Sequence, residues 1–353
     1  IPRLNVSNFT FYKNGILNIS DNTINILDEG VLEIQSGALN LSNLWIKSGG
    51  ILTHAANLSG LNITAYNITI EYGGTINLTS KGYASTIGPG AGVSITDGST
   101  NDLGAGGGGY GGNGGNGNTM AGGTAYGSLI QPTYFGSGGG ESIRGVLNPG
   151  GAGGGALKLN VSDTLTINGS IIANGSNGAS NSWQSSGAGS GGSIWIIAGT
   201  LAGNGSITAN GGGGTSGTGA GKGGGGAGGR IAIYYTTDSS TFITKQAFGG
   251  GAVSGAVNGG AGTVFLKQDS ESYGKLIIDN AANSGATTPI SNATFDIINI
   301  SGKANVNSYN ATFTNLSLTG NSSANFISNV SFEYLFVNGC SSVIFNATAT
   351  VTT

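Results

Sequence analysis

Nineteen of the 38 asparagines open an Asn-x-Ser/Thr triplet: Asn5, Asn8, Asn18, Asn40, Asn57, Asn62, Asn67, Asn77, Asn160, Asn168, Asn174, Asn204, Asn292, Asn299, Asn310, Asn315, Asn321, Asn329 and Asn346. This is about twice what the Asn, Ser and Thr content would give by chance. Such an amide is the acceptor for an N-linked glycan on an exposed segment of a secreted protein. Asn, Ser and Thr also share a preference for turns, so a repeating chain co-enriches them without any glycan. The excess favours glycosylation. None of the triplets lies between Asn77 and Asn160 or between Asn204 and Asn292, although Asn113, Asn116, Asn118 and Asn258 fall there.

Other chemistry is sparse. The single histidine, His54, has no nucleophile motif around it, which argues against a Ser or Cys triad. By repeat alignment it takes the place of Ile34 and Leu78, so a half-buried strand position is expected. Cys340 is the only cysteine, which excludes a disulfide within the chain. It follows Gly339 at the place of Lys303 and Asn321, where a turn is expected. Glycoside hydrolysis needs two carboxylates facing across a cleft. Here Asp163, Asp238, Asp279 and Asp296 are isolated, and the pairs Asp28-Glu29, Asp97/Asp102 and Asp269/Glu271 sit in turn-like contexts. No catalytic, cofactor-binding or metal-ligating set is therefore expected. A structural Ca²⁺ at 97–102 or 21–29 is the one metal the oxygen donors allow, and their spacing fails the EF-hand pattern. Gly-x-Gly-x-x-Gly matches arise by chance in so Gly-rich a chain, and no Gly-Lys-Ser/Thr occurs.

Composition narrows the class. Of 353 residues 71 are Gly, 8% are charged and the formal net charge is −3. Only 12 cations are present, too few and too scattered for a nucleic-acid-binding face. The 5 Pro and the bursts of Gly exclude the strict Gly-X-Y period of collagen. No apolar run reaches the roughly 20 residues of a membrane span. Beginning at Ile1 without Met, the chain reads as a processed product or an excerpt of something longer.

The elements that must position these residues are read from repeats. Gly15, Gly37 and Gly60 each precede a short alternating apolar run, and Gly30, Gly50 and Gly74 precede a second, interleaved set. Leu157, Ile194 and Ile231 each begin a strand after a Gly burst, at steps of 37. Val264-Phe-Leu-Lys267 ends that series. Phe295, Phe313 and Phe332 recur at 18 and 19 and should stack as core. Gly-bounded alternation of this kind means strands. The expected fold is all-β, a parallel β-helix (β-solenoid) with long Gly-rich loop insertions. Three regions are expected: 1–85, N-terminal coils; 86–267, Gly-rich coils with long inserts; and 268–353, C-terminal coils.

The recurring phrases that end the bursts are Gly-Ala-Gly-Gly-Gly-Ala-Leu157, Gly-Ser-Gly-Gly-Ser-Ile194 and Gly-Ala-Gly-Gly-Arg-Ile231. Mainly over 150–265, they resemble the Gly-rich parallel β-helix repeats of microbial cell-surface proteins, adhesin-like or archaeal filament, sheath and S-layer glycoproteins. That resemblance implies an extracellular structural or adhesive role with no catalytic residues. The expected protein is a secreted, heavily N-glycosylated subunit that polymerises with itself into a filament, sheath or surface layer. Its partners would be its own copies and covalent N-glycans, with no nucleic acid and no membrane span. The acceptor-poor Gly bursts are expected to supply subunit contacts. The alternatives are a carbohydrate- or surface-binding adhesin, in which Trp183 could stack on a sugar while Trp45 and Trp195 are core, and a β-helix polysaccharide-cleaving enzyme.

Overall fold

The computed structural model describes residues 8–12, 16–27, 29–96, 103–144, 146–181, 183–217, 221–328, 330–346 and 349–351, and among them there is no helix. Described strands form a sixteen-stranded sheet, a seven-stranded sheet and a two-stranded ribbon. From Thr23 to Gln268 the chain alternates between the two large sheets, and successive strands of the same sheet pair in parallel. Val31, Ile51 and Thr75 align in the smaller sheet, and Leu157, Ile194, Ile231 and Val264 in the larger. The 37-residue steps seen in the sequence are thus the register of the larger sheet. Strand Leu61–Ile70 buries every second residue over its first half, which places Leu61, Ile63 and Ala65 in the core. One departure concerns the strand after Gly15: Ile16–Ser20 pairs antiparallel with Thr23–Leu27 and does not join the parallel series.

The parallel series does end at Val264: Thr263–Gln268 is followed by an antiparallel partner, Lys275–Asp279. Two apolar clusters meet near this point, one running from Ile24 to Val264 and the other from Ala232 to Phe332. In the second, Thr287–Ser301 and Asn305–Leu318 pair in parallel with Phe295 opposite Phe313. The Phe313 and Phe332 rings stack at 5.7 Å and 10°. The Phe stripe is core.

The glycine bursts are the main correction. The expectation is of tight extended loops, in which Gly allows positive φ and close backbone approach, packed against the β-helix or a neighbour and contributing subunit contacts. The structure buries 104–112, 136–140, 153–155, 184–192 and 223–229 within the chain, so the close approach is internal. Gly255 alone among the described glycines of the four bursts (104–123, 136–155, 209–229 and 249–262) has positive φ. Over much of these segments successive residues donate to different neighbours, and the same neighbour recurs at every third residue. Ala105 and Gly108 donate to Ser185 and Ala188, Gly106 and Gly109 donate to Val93 and Gly90, and Gly224 and Ala227 donate to Ala105 and Gly108. Extended chain with three residues per turn and no internal hydrogen bonds is the polyproline-II geometry. Packed side by side, such segments satisfy buried backbone groups without forming a sheet.

Why glycine is required follows from the stacking. A Cβ on Gly192, Gly229 or Gly262 would run into the carbonyl oxygen of Gly155, Gly192 or Gly229. Gly189, Gly226 and Gly259 meet Ala152, Gly189 and Gly226 in the same way. The two columns share the register of the adjoining strands. Glycine here serves close approach, as at the collagen axis.

Candidate functional site

The acceptor asparagines can be placed one by one. Asn5 and Asn329 lie outside the described residues, and the side chains of Asn8 and Asn18 are not described. Asn40, Asn57, Asn62, Asn160, Asn168, Asn204, Asn292, Asn310, Asn321 and Asn346 are exposed. Asn67, Asn77, Asn174, Asn299 and Asn315 are half-buried, and none of the described acceptors is buried. Some amides are engaged: Thr164 N–H donates to Asn67 Oδ1 at 3.1 Å and Asn210 N–H to Asn174 Oδ1 at 2.7 Å. Asn57, Asn292, Asn310 and Asn321 have φ between 48° and 59°. At those four positions the left-handed backbone explains Asn by itself, because Asn tolerates that region better than most L residues. Four of the five buried glycine segments lie in the acceptor-free stretches of the sequence, and the one around 184–192 lies between Asn174 and Asn204.

His54 is fully buried where a half-buried strand residue was expected, and it does pair in register with Ile34. Its Nδ1 lies 2.8 Å from the Ala55 carbonyl, which can only accept, so Nδ1 carries the proton. Nε2 then accepts from Ala156 N–H at 3.3 Å. Burial pushes the imidazole pKa below its usual value, with the Ala55 hydrogen bond opposing. A neutral ring inside the core has no nucleophile to serve. Cys340 is exposed and, like Lys303 and Asn321, has positive φ, as the repeat alignment implied.

The tryptophans correct a second expectation. Trp45 projects outward with Lys47 Nζ 4.2 Å from its ring centroid, so it is not core. Trp195 is half-buried beneath Lys158 Nζ at 4.1 Å. Trp183 is exposed beside the Arg144 guanidinium at 4.9 Å. Among the described residues no group of three or more His, Cys, Asp or Glu is placed to hold a metal ion. The stretch 97–102 and Asp28 lie outside the described residues. No described helix is long and apolar enough to cross a membrane.

The strands Tyr334–Val337 and Ser342–Phe345 differ in burial from the strands they pair with. Tyr334–Val337 pairs with Asn315–Leu318, placing Leu335 opposite Leu316 and Val337 opposite Leu318. Leu316 and Leu318 are buried, whereas Leu335 is 39% and Val337 42% exposed. Phe345 pairs opposite the buried Phe326, stacks on it at 5.3 Å, and is itself 38% exposed. Tyr334, Phe336 and Ile344 are exposed beside them. Columns that are buried on the preceding strands are exposed at these positions among the described residues. The repeat in the sequence continues through these strands.

Compared with known proteins, the chain matches no family model, no curated protein and no solved structure.

Proposed function

We propose that this chain is a structural, self-associating subunit of an extracellular assembly, built as a parallel β-solenoid and decorated with N-glycans on its outer strands and turns. The reading rests on one observation: Leu335, Val337 and Phe345 occupy core positions yet are exposed on the last strands. A strand with exposed apolar side chains is a template for pairing with another strand. Covering them with a second copy would bury the remaining 38–42% of these side chains, worth about 0.5–1 kcal/mol each. The low charge of the chain supports close packing, since few ions would need desolvation. The acceptor asparagines whose side chains are described stand on exposed or half-buried positions, which supports glycosylation and a secreted location. In this reading the three sequence regions are successive parts of one winding, and no catalytic role is assigned.

The test is analytical ultracentrifugation of the full chain, with electron microscopy of concentrated material. Concentration-dependent association that Leu335→Lys with Val337→Lys abolishes is the expected result. A monomer at every concentration would reject the proposal. An adhesin reading draws on exposed Trp183 alone, and Trp183→Ala would then cost surface attachment while leaving association intact.

A further inference from the structure

Arg230 begins the strand Arg230–Asp238 and is 3% exposed. Its Nε donates to the Tyr126 carbonyl at 2.9 Å and its Nη1 to Thr263 Oγ1 at 3.2 Å. Both acceptors are neutral. The Tyr110 ring lies 5.7 Å from the guanidinium carbon, and its phenol, pushed up to about 12 by burial, stays neutral at physiological pH. The Tyr126 hydroxyl is held well above the ordinary tyrosine value by burial too, so neither ring supplies a phenolate. Among the described residues no carboxylate pairs with Arg230; the ion pairs are Lys47–Glu71 and Lys81–Glu33. A buried cation without an anion is costly.

The same arginine lines a pocket of about 450 Å³ between 127–130 and the strand Thr287–Ser301. Leu129, Ile130 and Phe295 give it an apolar wall, Ser128, Ser291 and Thr294 give it hydroxyls, and no Asp or Glu lines it. The wall is fixed in advance: Tyr234 Oη donates to the Ile130 carbonyl at 2.8 Å, and Arg230 itself holds Tyr126. A guanidinium has five donors in a planar fork that matches a carboxylate. With two nitrogens on neutral acceptors, charge remains to be compensated from the pocket side. The volume falls in the range of small-ligand sites, which is about 300–1,000 Å³.

We propose that this pocket is a binding subsite for a carboxylate-bearing sugar, with Arg230 pairing the carboxylate and the hydroxyl-lined wall receiving the ring. The pocket shares no lining residue with the strands Tyr334–Val337 and Ser342–Phe345.

Isothermal titration calorimetry with D-glucuronate, and with D-glucose as the neutral control, tests it. The full chain would be made in a bacterial cytoplasm so that Asn292, on the pocket wall, carries no glycan. The expected result is glucuronate binding without glucose binding, weakened at least tenfold by Arg230→Gln and by Ser291→Trp. Ser291→Trp fills the pocket from an exposed position and leaves the bonds to Tyr126 and Thr263 in place, so it decides alone should Arg230→Gln not fold. No heat with glucuronate, equal binding of glucose, or undiminished binding to Ser291→Trp would each overturn the proposal.

Discussion

At the scale of single residues, the glycine columns make the sharpest test, because substitutions of the same kind should differ by position. A methyl on Gly226 meets the backbone of Gly189, which cannot swing aside, while a methyl on Gly251 meets nothing within 4 Å. Gly226→Ala should therefore destabilise by roughly 3 kcal/mol, the upper part of the usual overpacking cost. Gly251→Ala should be neutral or stabilise by about 0.5 kcal/mol through the unfolded state. Urea unfolding of the two variants reads the difference. His54 gives a pH prediction of definite sign. Its folded pKa is lowered, so below the ordinary value of 6.5 the unfolded chain binds the extra proton and stability falls as pH falls. Thermal unfolding between pH 7.5 and 5 should show this loss, and His54→Leu should flatten it while costing about 1 kcal/mol at pH 7.5 for the unpaired Ala156 N–H.

At the scale of elements, the C-terminal turns form a ladder. Gly302-Lys303, Gly320-Asn321 and Gly339-Cys340 all have positive φ, between 56° and 66°, and Lys303 N–H donates to the Gly320 carbonyl as Asn321 N–H does to Gly339. Left-handed backbone costs an ordinary residue about 1–2 kcal/mol, and less for Asn or Gly. Lys303→Asn and Cys340→Gly should each stabilise by about 0.5–1 kcal/mol in urea unfolding. This ladder was legible in advance, because Gly recurs at 18 and 19 residues beside the Phe stripe. Parallel pairing at steps of 37 was legible too, since an alternating run after each burst returns to the same register. The conformation of the bursts was not legible. Periodicity methods detect side chains, and a segment with hardly any side chains has a three-residue backbone period that leaves no trace in residue type. The Arg230 pocket was hidden for a different reason: Tyr126, Thr263 and Arg230 come together across 104 and 33 residues.

At the scale of the whole molecule, interior and exterior divide by residue class: backbone-rich glycine inside, asparagine acceptors on the outer strands and turns. Intact-glycopeptide mass spectrometry of native material should find glycans on most of the exposed acceptors, Asn62 and Asn160 among them. Bare asparagine at nearly all of those positions would remove the support for secretion. The glycine bundle also sets how the gene can vary in length. A strand changes face every second residue, but a bundle segment returns to a given neighbour every third. An excursion can therefore grow by three residues on each arm and keep every neighbour, whereas adding one or two turns all its contacts by a third of a revolution. Tolerated length variants in the bursts should come in steps of nine nucleotides per arm, a reading frame within the reading frame.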